Sequence, residues 1–94
     1  MIIVTAKCNL LQGMKEEYKY RVLELIKETR KEEGCIEYSL YEDVNSQETI
    51  CFIEKWESQE ALNEHMKSQH FTRIVPRLRE LQSEDSVVNI YREI

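Results

Sequence analysis

Apolar and polar residues alternate strictly at the start of this chain. Ile2, Val4, Ala6, Cys8 and Leu10 fall on one face, and Ile3, Thr5, Lys7 and Asn9 on the other. A period of two predicts a β-strand with one face more buried than its opposite. Gln12-Gly13 breaks the pattern, and from about Met14 to Glu33 the spacing changes to threes and fours. Met14, Tyr18, Val22, Leu25, Ile26 and Thr29 then form one stripe, with charges opposite, including Glu17 and Arg21 four apart. That is an amphipathic helix. Gly34 ends it, because glycine accepts the left-handed conformation beyond the last turn at least cost.

Two further strands follow, Cys35 to Tyr41 and Thr49 to Trp56, joined by the polar link EDVNSQE in a hairpin with a longer loop. Ile50, Phe52, Glu54 and Trp56 share one face of the second, while Cys51, Ile53 and Lys55 share the other. Both faces are substantially apolar. A sheet with helices on one side normally turns polar residues outward, so the second face is expected to meet another sheet, most simply that of a second subunit. Ser58 is a good N-cap for a helix with the stripe Ala61, Leu62, His65 and Met66. Phe71, Ile74, Val75, Leu78 and Leu81 continue the helical pattern, with a kink or restart expected at Pro76. Ser83 to Ser86 reads as a turn and Val87 to Tyr91 as a last strand. The order βαββαβ predicts an α+β, ferredoxin-like subunit, a sheet with its helices on one side.

Composition narrows the class. Ninety-four residues, 41% apolar and 33% charged, make a single globular domain over 1–94. The net charge of −5 argues against nucleic acid. No apolar run reaches bilayer length and the first residues lack a signal-peptide pattern, so no membrane partner is expected. Cys8, Cys35 and Cys51 are odd in number and form no CxxC pair. They read as reduced core thiols of a cytoplasmic protein.

The candidate chemistry converges on one junction, FIEKWESQEALNEHMKSQHF, which holds the only Trp and both His. On a helical wheel His65 lies mid-stripe and points at the sheet near Trp56. It is either a satisfied core residue or a proton acceptor in a cleft between helix and sheet. Trp56 is either core or a flat wall for an aromatic substrate. Met66, on the same stripe as His65, is a further candidate lining residue. Tyr38 and Tyr41 fall on opposite faces of their strand, so at most one meets the helices. Glu54 shares the Trp56 face and must be paired if buried, which suggests a structural role. His70 is five residues beyond His65, about 140° around an ideal helix, so the two imidazoles are expected to point apart. The HxxxH spacing of a metal site is absent, and no metal is expected. Glu32 and Glu33, at the helix C-terminus, read as solvated. With two glycines in the chain there is no phosphate loop, nucleotide cradle or nucleophile elbow.

The strand IIVTAKCNL, the helix ending EEGCIEYSLYED and the segment FIEKWESQEALNEHMKSQHF together resemble the antibiotic biosynthesis monooxygenase family over essentially the full chain. The likeness is strongest to its small bacterial quinol monooxygenases. E-x-W-x-S, then His in a helical apolar stripe, then a second His before an aromatic, is the most specific part. The resemblance implies a homodimeric α+β barrel that oxygenates hydroquinones or polycyclic phenols with O₂, using no metal, flavin or haem cofactor. Carried over by position, His65 is the base, Trp56 and Tyr38 orient the ring, and His70 assists at the rim. Related barrels that degrade haem differ, since Ala6, His65 and Val75 stand where they place Asn, Trp and the iron-ligating His. The expected function is cofactor-independent oxidation of a small quinol or phenol. The alternatives are an isomerase or tautomerase in the same cleft, or a non-catalytic dimer that binds a small aromatic molecule.

Overall fold

The computed structural model describes residues 1–94. The elements are β1 (Ile2–Asn9), α1 (Lys15–Thr29), β2 (Cys35–Glu42), β3 (Thr49–Trp56), α2 (Gln59–Lys67), α3 (Gln69–Arg79) and β4 (Val87–Arg92). The strands form one sheet in the order β2-β3-β1-β4, every neighbour antiparallel. This is the ferredoxin-like α+β arrangement, with the core between the sheet and the helices. The alternation in β1 becomes register: Ile2 lies opposite Trp56, Val4 opposite Glu54 and Cys8 opposite Ile50, all buried. Tyr18, Val22, Leu25 and Thr29 of α1, and Ile74 and Leu78 of α3, cover that face. No helix is long and apolar enough to cross a membrane.

Two boundaries differ from the sequence expectation, and both shape the site. Helix α1 stops at Thr29 rather than Glu33. Its last turns tighten through bonds from Lys31 N to Glu28 O (3.2 Å) and Glu32 N to Thr29 O (3.0 Å), and Gly34 at φ +89° turns the chain into β2. Glu32 therefore sits on a turn, not on a helix face. The second helical stretch breaks at Ser68 (φ −64°, ψ 153°), not at Pro76, which lies inside α3. The Ser68 hydroxyl donates to His65 O (2.6 Å) and accepts from Phe71 N (3.3 Å), satisfying backbone groups of both helices at the break.

The outer sheet face is apolar for its position. By register Ile3, Ile53, Cys51, Tyr41, Val87 and Tyr91 point away from the helices. Strand β4 is exposed along its whole length; its inward-facing Val88 and Ile90 are about half exposed.

Candidate active site

The inward row of β3 places Glu54 and Trp56 two residues apart on one face, and Trp56 Nε1 donates to Glu54 Oε1 at 3.0 Å. Above them, α2 turns Leu62 and His65 into the core. The His65 ring lies over Trp56 with centroids 4.7 Å apart and planes at 35°. Tyr38 and Phe71 meet it edge-on at 5.4 Å and 5.1 Å. Three aromatic side chains thus fix the imidazole, which is 2% exposed.

Glu32 completes the arrangement. Its Oε2 lies 2.7 Å from His65 Nδ1 and 2.6 Å from His70 Nε2. The turn that carries it is held by Arg30 Nε donating to Tyr38 O (3.0 Å) and Glu57 N donating to Gly34 O (2.8 Å). A Cβ at Gly34 would lie 2.6 Å from the Ala61 Cβ, so glycine there lets the turn approach α2 closely enough for Glu32 to reach the ring. The expectation that the two imidazoles diverge, and that Glu32 is solvated, is therefore corrected. One continuous helix would hold the two rings about 140° apart, whereas the break at Ser68 reorients His70 toward the same carboxylate.

Burial holds His65 below the ordinary histidine value despite the pull of Glu32, so the ring is neutral near pH 7. A neutral ring facing a carboxylate carries its proton on Nδ1 and donates it to Glu32. That leaves Nε2 with a lone pair, since the side-chain hydrogen bond of His65 runs through Nδ1.

His65 borders a cavity of about 230 Å³ between sheet and helices. Tyr38, Glu54 and Met66 also line it, among apolar side chains that include Phe52 and Val75. Trp56 and His70 do not; Trp56 backs His65 and Glu54, and His70 lies behind Glu32. A separate hollow of about 280 Å³ between α1 and the β2 edge is lined by Leu23, Ile26 and Tyr41 with two lysines, and no histidine reaches it. The thiols are unpaired, and burial raises Cys35 to about 11 and Cys51 above the ordinary value, so neither is a thiolate nucleophile.

Sequence reasoning missed two residues here. Glu32 was discoverable only through the turn that Gly34 imposes. Glu54, read as structural, accepts from Trp56 but also faces the cavity. Its burial pushes the carboxyl up to about 7, the Trp56 bond opposes this in part, and the charge of Glu32 adds to the rise. The unfolded chain ionises this group near its ordinary 4.5, so folding binds a proton between the two values and stability falls as pH rises across that window. Glu54→Gln keeps the acceptor for Trp56 and removes the charge. The variant is expected to gain stability over the parent between pH 5 and pH 8, by on the order of 2 kcal/mol, in denaturant titrations. A difference that stays flat with pH would contradict the assignment.

Similarity to known proteins extends over most of the chain. The sequence profile of a family described as antibiotic biosynthesis monooxygenase matches residues 1–77. YcnE of Bacillus subtilis, for which a monooxygenase activity has been suggested, is 31% identical over 83 residues, covering 88% of this chain and 87% of its own length. An uncharacterized Synechocystis protein, sll1783, is 30% identical over 91 residues, or 97% of this chain, which spans 62% of that longer protein. The crystal structure of a conserved protein from Methanosarcina mazei Go1 superposes with a TM-score of 0.97 at 35% identity, covering 99% of this chain and 92% of that one.

Proposed function

We propose that this chain, which belongs to the antibiotic biosynthesis monooxygenase family, oxidises a small quinol or phenol with O₂ using its own side chains as proton acceptors. The observation that carries this reading is His65. Its Nδ1 is tethered to a carboxylate, and its unpartnered Nε2 belongs to a ring that borders a largely apolar cavity. Such a ring is a general base held in one tautomer. At about 230 Å³ the space exceeds the ~150 Å³ in which benzene is known to bind, so a one- or two-ring phenol is the size class it fits.

The quinol hydroxyl gives its proton to His65 Nε2, and Glu32 balances the imidazolium that results. The anion passes one electron to O₂. Substrate radical and superoxide then combine to form a carbon–oxygen bond, and loss of water leaves a hydroxyquinone. One quinol and one O₂ give one hydroxyquinone and one water, so the substrate supplies every electron. Glu54, ionising near neutrality, returns the proton that the departing oxygen needs. Tyr38 remains a neutral phenol, since burial and the nearby charges of Glu54 and Glu32 raise it well above its ordinary value, and it serves as a ring-edge contact. Met66 supplies adaptable apolar lining.

Oxygen consumption across a panel of quinols is the direct test. Isotopically heavy O₂ is expected to leave one heavy atom in the organic product and one in water. A panel without uptake, combined with deuterium exchange into an enolisable compound, would favour an isomerase. That second reading draws on two groups lining one cavity, a His65 ring that burial keeps neutral and a Glu54 carboxyl that ionises at about 7.

The outer sheet face and the exposed β4 support a homodimer, with the second copy covering Ile3, Ile53, Val87 and Tyr91. Light scattering at micromolar concentration is expected to give twice the chain mass; a monomer would count against the pairing.

A further inference from the structure

We propose that Glu32, His65 and His70 bind one divalent transition-metal ion of the zinc class, behind the base and outside the cavity, and that the bound ion switches the base off. The second half of this statement rests on the reading of His65 given above; the first half does not.

Two stretches distant in sequence, the turn after α1 and the junction of α2 with α3, bring two imidazole nitrogens and a carboxylate oxygen within 4.8 Å of one another. Nitrogen and oxygen donors in this mixture suit zinc, cobalt, nickel or copper better than magnesium or calcium, which prefer oxygen alone. The donors are sheltered but reachable: the side chains of Glu32 and His70 are each 16% exposed, and that of His65 is 2% exposed. The nitrogens now lie 2.7 and 2.6 Å from Glu32 Oε2, the spacing of hydrogen bonds. Metal–ligand bonds of about 2.0–2.1 Å put neighbouring ligand atoms roughly 3.0–3.4 Å apart, so the carboxylate must back away by less than about 1 Å while the two nitrogens, within 4.8 Å of each other, draw together by up to about 1.8 Å. Glu32 is the residue that can give, because it sits on a turn and its Oε1 has no protein hydrogen bond.

Neither Glu32 nor His70 lines the cavity, so the ion would not touch a substrate there. Its effect comes through the tautomer of His65. A neutral imidazole that coordinates through Nδ1 keeps its single proton on Nε2. The nitrogen that accepted a proton from the substrate becomes an N–H donor, and no net proton is lost. The ion thereby converts the base into a group of the wrong polarity without entering the pocket.

Titrating the chelator-treated full chain with Zn²⁺ by calorimetry is expected to give one site per chain, and Co²⁺ to give the visible bands of a low-coordinate nitrogen–oxygen site. Glu32→Gln and His70→Asn should each weaken Zn²⁺ binding at least 10-fold, with circular dichroism confirming that both variants fold. Nitrogen-detected NMR of His65 should show the ring proton on Nδ1 without Zn²⁺ and on Nε2 with it. Quinol oxidation should fall at least 10-fold when the site is filled. Absence of saturable Zn²⁺ binding overturns the proposal. So does binding that survives Glu32→Gln and His70→Asn but is lost in Cys35→Ser, or a His65 proton that stays on Nδ1. Calorimetry and NMR need no substrate, so a protein that binds Zn²⁺ and moves the proton but consumes no O₂ with any quinol would sink the oxygenase reading and leave the metal site standing.

Discussion

His65→Gln is expected to lower quinol-dependent O₂ uptake by about 10²–10⁴-fold, the range a positioned general base contributes. The loss should fall on kcat more than on KM, because the cavity wall is mostly apolar and still holds the ring of the substrate. The pH profile carries the sharper information. Burial lowers His65 below its ordinary 6.5, so its accepting form persists into mildly acidic solution and activity should fall only as pH drops below that value. If Glu54 were the initial base instead, the acid limb would lie near 7, where that carboxylate ionises. Glu32→Gln provides a second check. It removes the charge that stabilises the imidazolium, so it should reduce kcat by roughly 10-fold or more and shift the acid limb further down in pH. Full activity in His65→Gln would end the assignment, and an acid limb near 7 that disappears in Glu54→Gln would transfer the role to Glu54.

Gly34→Ala should destabilise the fold by about 2–4 kcal/mol, combining backbone strain with overpacking. The backbone stands at φ +89°, a conformation unfavourable for alanine, and the new methyl would lie 2.6 Å from the Ala61 Cβ. For a chain of this size the midpoint of thermal unfolding should drop by roughly 10 °C or more. Gly13→Ala separates the two causes. Gly13 has φ +80° but nothing within 4 Å of an added Cβ, so its cost should be the backbone part alone, about 1–2 kcal/mol. Ala61→Gly in the Gly34→Ala background should recover the steric part only. Because the same turn carries Glu32, the Gly34 variant should also loosen the bond to His65 and reduce activity in whatever fraction remains folded. Equal destabilisation at the two glycines would show that the close approach of the turn to α2 has no energetic weight.

Much of this architecture is legible from local pattern. The period of two in β1, the stripe in α1 and the cap at Ser58 depend on neighbours within a few residues, and each became the expected element, whereas Gly34 takes the expected left-handed conformation five residues beyond the end of α1 at Thr29. His65 at the sheet-facing centre of its stripe was likewise readable, because a helical wheel needs only the helix itself. The same wheel failed for His70. Pro76 looked like the break, but the helix tolerates it, while the Ser68 hydroxyl satisfies both flanking backbones and ends α2 early. Periodicity cannot rank two breakers whose outcome depends on what packs beside them.

Local sequence by itself determined the strands, the buried faces of the helices and the direction of His65, because these follow from side-chain spacing on a regular backbone. Tertiary structure alone decided that Glu32 ties His65 to His70 and that Glu54 keeps one side toward the cavity between sheet and helices. Those roles arise where segments far apart in the chain meet, and burial there sets the proton affinity of groups whose residue type says only that they can ionise.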